Sequence, residues 1–251
     1  MPAGRPTSNS GPSFVDPSSL KGYVTELDAR AFQVHFHAIG DRAVRESLDA
    51  IEAARDVNGP SNHRHHIAHI QVIHPLDVPR FRRLGVVANA QPLWACYDQQ
   101  MCDLTIPFLG EERASWQYPF ASLVHSGATL AFGSDWSVSS ADPLAEMHIA
   151  VNRRVNTTHP GLGGAGRRAE EEVFLPDERL DLATSIAAFT MGSAYVNHLD
   201  DVTGSIEVGK YADLAVVDRD LFAHPVDEIA DAGVDATFVE GAPVYERDGA
   251  R

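Results

Sequence analysis

Apolar positions in the first half of the chain alternate between two spacings. Leu20, Tyr23, Val24 and Leu27 recur at helical intervals behind Asp16 and Pro17, an N-cap followed by proline at the first helical position. A helix over about 17–30 is expected. Residues 32–37 form a short aromatic and branched run closed by Ala-Ile-Gly40, the texture of a strand. Asp41 then caps a helix whose Val44, Leu48 and Ile51 share one face until Asn58-Gly59-Pro60 stops it. The pair recurs, with strands at 65–70, 86–91 and 129–133 and helices at 76–84 and 119–126, the last after a Trp- and Tyr-bearing connection. Strand and helix in alternation predict parallel βαβ units and an α/β fold, and four strands make half of an eight-stranded barrel.

Beyond residue 133 the texture shifts twice. Residues 143–153 continue as a helix. Residues 159–166, with the charged run 167–172, read as a loop long enough to suggest mobility or a lid. Its Gly-Leu-Gly-Gly-Ala-Gly follows no strand and opens no helix, which argues against phosphate binding. Asp177 or Asp181 caps a further helix through Ala187, with a helical end over 190–195. From Gly204 only short runs remain, at 212–217, 236–239 and 243–245, separated by Gly and Asp turns. The expected organisation is a flexible lead-in over 1–15, an α/β part over 16–203 and a small β segment over 204–251.

Composition narrows the function classes. With 35 acidic against 20 basic residues the 251-residue chain carries a formal charge of −15, which disfavours the phosphate contacts that dominate nucleic-acid affinity. No run approaches the roughly 18 apolar residues of a membrane span, and the first fourteen residues lack the apolar core of a signal peptide. Neither nucleic acid nor membrane is expected as a partner, and a cytoplasmic location is. Cys96 and Cys102 are too few for a disulfide framework and read as reduced thiols.

Twelve histidines are the compositional oddity, seven of them between residues 35 and 74. His37 closes the first strand, His69 the second, and Asp135 follows the fourth in Gly133-Ser-Asp135-Trp136. In α/β barrels the C-terminal strand ends converge on one opening, and two imidazoles with a carboxylate there suit a divalent metal, zinc first. His35, two residues before His37, shares its face; the pair fits either a ligand couple or a polar layer. His63, His65 and His66 flank Arg64 and read as solvated or structural. Gln91 and Trp136 lie beside the proposed opening, as substrate-binding or as packing residues.

In combination, His37-Ala-Ile-Gly-Asp41-Arg-Ala-Val44, Arg64-His-His-Ile-Ala-His69, residues 86–92, Gly133-Ser-Asp135-Trp136 and Gly204-Ser-Ile-Glu-Val-Gly-Lys210-Tyr-Ala-Asp213-Leu214 resemble the amidohydrolase superfamily, amidohydrolase-3 type. The resemblance implies the C-terminal half of a TIM-like (β/α)8 barrel, strands five to eight, with part of a small β-sandwich. It makes His37 the fifth-strand ligand, His69 the sixth-strand histidine, and Asp135 the eighth-strand aspartate that binds metal and shuttles the proton; His35 matches no ligand. Where relatives commonly read Ile-Glu-His, this chain has Ile67-Ala68-His69, a change in what supports the ligand. The implied chemistry is hydrolysis of a non-peptide C–N bond, in an amide or N-substituted formamide, by metal-activated water. The family's HxH pair and bridging lysine lie upstream of the matched segment. The competing expectation is therefore a truncated, non-catalytic remnant, or half of a split enzyme completed by a homo-oligomer or a complementing chain.

Overall fold

The computed structural model describes residues 8–156 and 172–248. The Gly-rich segment 159–166 and residues 1–7 of the lead-in lie outside them. The chain divides into two compact units, Met1–Gln91 with Gln99–Leu130, and Pro92–Asp98 with Ala131–Arg251.

In the first unit α1 (Pro17–Ala29) starts as expected, the Asp16 carboxylate accepting the Ser19 N–H. Its apolar face is narrower than the spacing predicts: Val24 is buried, whereas Tyr23 is 62% exposed. The helix rests mainly on α2 (Asp41–Asn58), and one neighbour covers only a thin stripe. The N-cap of α2 is Gly40 rather than Asp41. Asp41 occupies the first turn, where a carboxylate complements the helix dipole, and accepts a 2.7 Å hydrogen bond from Arg113. Val44, Leu48 and Ile51 are fully buried, as their spacing requires.

The strands β1 (His35–Ala38), β2 (His66–His69) and β3 (Val87–Ala90) pair in parallel, with α2 and α3 (Val78–Leu84) as crossovers. Ala88 donates its N–H to the Thr129 carbonyl at the entrance to β4 (Leu130–Phe132), which completes the order β1-β2-β3-β4. The expected connection after β3 contains helix: a π-helical turn, Met101–Thr105, runs into α4 (Ile106–Ala114). α4 buries none of its residues, so it offers periodicity no apolar stripe to detect. α5 (Phe120–His125) precedes β4.

In the second unit Asp142 caps α6 (Pro143–Asn152), which is buried on every side from Leu144 onward. Met147 and Val151 of α6 form a core with Leu182 and Ile229. Asp181 caps α7 (Leu182–Ala187) through the Thr184 N–H, and a π-helical turn leads to α8 (Ser193–Val196). The motif glycine Gly204 sits at φ +87°, where an added Cβ would come within 2.5 Å of the Ala194 Cβ. β5 (Leu214–Val217), β6 (Val234–Val239) and β7 (Ala242–Glu246) make an antiparallel sheet from the three predicted runs. Among the described residues no helix is long and apolar enough to cross a membrane.

Candidate metal centre

Strand alternation puts His35 and His37 on the exposed face of β1 and Phe36 and Ala38 on the buried one. His69 stands opposite Ala38 in the β1–β2 register, so regular extension would send its ring to the buried side. The backbone departs from extension there: φ is +69° at His69 and +45° at Ile70. The His69 imidazole instead meets that of His37, ring centroids 4.4 Å apart and planes at 65°. Left-handed backbone at a non-glycine residue is uncommon and costs on the order of 1–3 kcal/mol. Backbone and side chain share in holding it: the Ile70 N–H donates to the Ala68 and Ala38 carbonyls, and buried Gln91 accepts the His69 N–H at 2.9 Å and donates to Asn89 Oδ1 at 3.1 Å.

Asp135 belongs to the second unit and is also left-handed, at φ +58°. Its carbonyl accepts the N–H groups of Val138 and Ser139, which folds the loop back behind the half-buried carboxylate. Trp136 donates its N–H to Ser134 Oγ and leaves its side chain in solvent, the residue being 71% exposed. The structure thus pairs two of the predicted ligands, His37 and His69, and gives Asp135 the same backbone conformation as His69.

The histidine-rich segment holds a second grouping. Among the described residues Asp28, His63 and His65 form the one trio whose ligand atoms all lie within 4.8 Å of one another. Its hydrogen bonds close it to a metal. Val34 donates its N–H to His65 Nδ1, so the lone pair of that neutral ring is on Nδ1 and the proton on Nε2. Nε2–H donates to Asp28 Oδ1 at 3.0 Å, and His63 and Ser61 share the same oxygen while Asn58 takes Oδ2. Burial opposes ionisation of Asp28, but these four partners outweigh it and hold the carboxyl far below the usual range. The trio is a structural knot.

The same reasoning applies to His35. His66 Nδ1 lies within hydrogen-bond distance of Gln33 Nε2 and of the Arg64 carbonyl, and the ring is hydrogen-bonded through Nε2 to His35 Nδ1. Burial, with His35 beside it, pushes His66 down to about 4. His35 is engaged within the sheet face, consistent with its matching no ligand of the family.

One buried acid escaped the sequence reading. Glu146, on α6, is fully buried with neither carboxylate oxygen hydrogen-bonded. Burial, reinforced by the like charges of Asp142 and Asp135, pushes it up to about 9. In sequence it is an ordinary acidic residue in a first helical turn, and only the packing of α6 makes it unusual.

The His37 and His69 imidazoles, paired at the ends of neighbouring parallel strands, are donors of the kind a borderline divalent ion such as zinc takes. The sequence model of the amidohydrolase family matches residues 3–245. The chain belongs to the amidohydrolase family. This amidohydrolase chain is 32% identical over 238 residues to Protein LONG AFTER FAR-RED 3 of Arabidopsis thaliana, covering 94% of the chain and 38% of that protein. It is 25% identical to the N-substituted formamide deformylase of Arthrobacter pascens, covering 95% of the chain and 41% of the relative. In structure it resembles an uncharacterized metal-dependent hydrolase from Pyrococcus horikoshii, with TM-score 0.65 and 27% identity over 82% of the chain and 38% of that protein. The amidohydrolase chain therefore spans about two fifths of the length of the relatives it matches.

Proposed function

We propose that this chain supplies strands five to eight of a TIM-like metal-dependent hydrolase barrel, over residues 16–203, and part of a β-sandwich over 204–251. Its reaction is hydrolysis of a non-peptide C–N bond in a small amide or N-substituted formamide. The observation that carries this reading is the His37–His69 ring pair at neighbouring strand ends, held by a left-handed backbone at His69. Likeness to the Arthrobacter pascens deformylase supports the bond type.

His37, His69 and Asp135 would hold the divalent ion, zinc by donor chemistry. When bound, such an ion supplies Lewis-acid activation of water and of the scissile carbonyl. The Asp135 carboxylate accepts the proton of the attacking water and delivers it to the leaving nitrogen. Trp136, the exposed residue that follows Asp135, would contact substrate.

A second reading is favoured by coverage: the chain spans about two fifths of its relatives' length, and residues outside these 251 complete the site, as a complementing half would. Metal analysis of the purified chain and hydrolysis of N-formyl and N-acyl amines test both readings. Metal uptake with turnover supports the autonomous enzyme. Turnover that appears only when the HxH- and lysine-bearing half is added supports the split one, and neither metal nor turnover under either condition sinks both. In the active form Asp135→Asn should abolish turnover while leaving the circular dichroism spectrum unchanged; retained turnover removes Asp135 from proton transfer.

A further inference from the structure

The sequence places Gln91 beside substrate, yet it is 5% exposed and both ends of its amide are engaged in the sheet. We infer that Gln91 is a positioning residue for His69, its side chain standing in for the strand ladder at the point where the ladder ends. This rests on the reading of His69 as a metal ligand.

The β2–β3 pairing runs His66–Val87, Ile67–Ala88 and Ala68–Asn89, and stops there. His69 N–H is the next donor along β2 and has passed the last paired residue of β3. Gln91, two residues beyond Asn89, reaches back and accepts it at 2.9 Å. A buried N–H left without an acceptor is costly, and here the acceptor is movable in sequence terms because a side chain supplies it. The His69 N–H orients the amide, because only Oε1 can accept it, and Nε2 is left to donate to Asn89 Oδ1. The left-handed turn at His69 and Ile70 is closed by the Ile70 N–H on the Ala68 and Ala38 carbonyls, the Gln91 acceptor fixes the N–H on its other side, and the turned residue sets its imidazole against that of His37. A residue that merely filled space would need no acceptor aimed at this N–H.

Two variants of the 251-residue chain separate the roles. Gln91→Met keeps length and burial but removes the acceptor; Gln91→Glu keeps an acceptor, and Asn89 can turn its amide to donate to it. In the metal-free chain, nuclear Overhauser cross-peaks between the His37 and His69 ring protons should be present in the parent and in Gln91→Glu and absent from Gln91→Met. In a cobalt(II) titration followed by absorbance, Gln91→Met should bind at least about tenfold more weakly than the parent, in line with the weakening seen when a ligand's support is removed, and Gln91→Glu within about threefold. Cross-peaks that persist in Gln91→Met, or that are missing from the parent, overturn the inference. Cross-peaks that vanish only in Gln91→Met while no form takes up cobalt uphold the positioning role and overturn the metal reading alone.

Discussion

At the residue scale the sharpest consequence concerns Glu146. Its carboxyl, pushed up to about 9 from an ordinary 4.5, binds its proton more tightly folded than unfolded, so stability is greatest at low pH and falls as pH rises through that window. At pH 7 the span of about 2.5 pH units corresponds to about 3 kcal/mol. Glu146→Gln should match the parent near pH 5 and become progressively more stable toward pH 9 in urea denaturation; parallel curves would show that the acid ionises at little cost. His37, His69 and Asp135 were legible as candidates because strand ends carry chemistry in α/β folds, a rule that needs only the strand pattern. The left-handed backbone at two of them, the Gln91 clamp and the Glu146 environment were not legible. They arise from local backbone hydrogen bonds and from packing, neither of which leaves an apolar or polar period in the sequence.

At the scale of elements, the knot at Asp28 fastens the last turn of α1 to residues 58–65. The carboxylate is buried and takes four donors, so Asp28→Ala should cost about 3–5 kcal/mol, the range for breaking a buried charged cluster. The loss should appear in the denaturation midpoint with and without a chelator; a chelator that alone reproduced it would mean the trio holds an ion after all. α2 was readable from sequence because Val44, Leu48 and Ile51 mark a single buried face. α4 was not, because a helix without buried residues writes no period into its sequence. The tail strands were readable from their runs and turns, although β7 is exposed along its whole length.

At the scale of the whole molecule, Ile206, Val208, Phe222 and Val244 of the second unit are exposed, as are Phe14, Val57, Leu76 and Phe108 of the first, and singly exposed apolar residues are ordinary on a protein surface. If a second copy completes the site, sedimentation at micromolar concentration should give a species heavier than the 27.2 kDa monomer; a monomer under those conditions removes the second copy. The sheet order β1-β2-β3-β4 gives the α/β fold and the family match the amidohydrolase assignment, over a chain that spans about two fifths of its relatives' length. The Asp28 knot also bears on how the chain is made. Its four partners lie 30 to 37 residues downstream, so α1 emerges from the ribosome well before anything can fasten its end. Until residue 65 is synthesised, this helix has neither its carboxylate's donors nor the completed α2 beneath it. A nascent chain whose residues 58–65 are still inside the ribosome cannot tie the knot, and one in which they have emerged can.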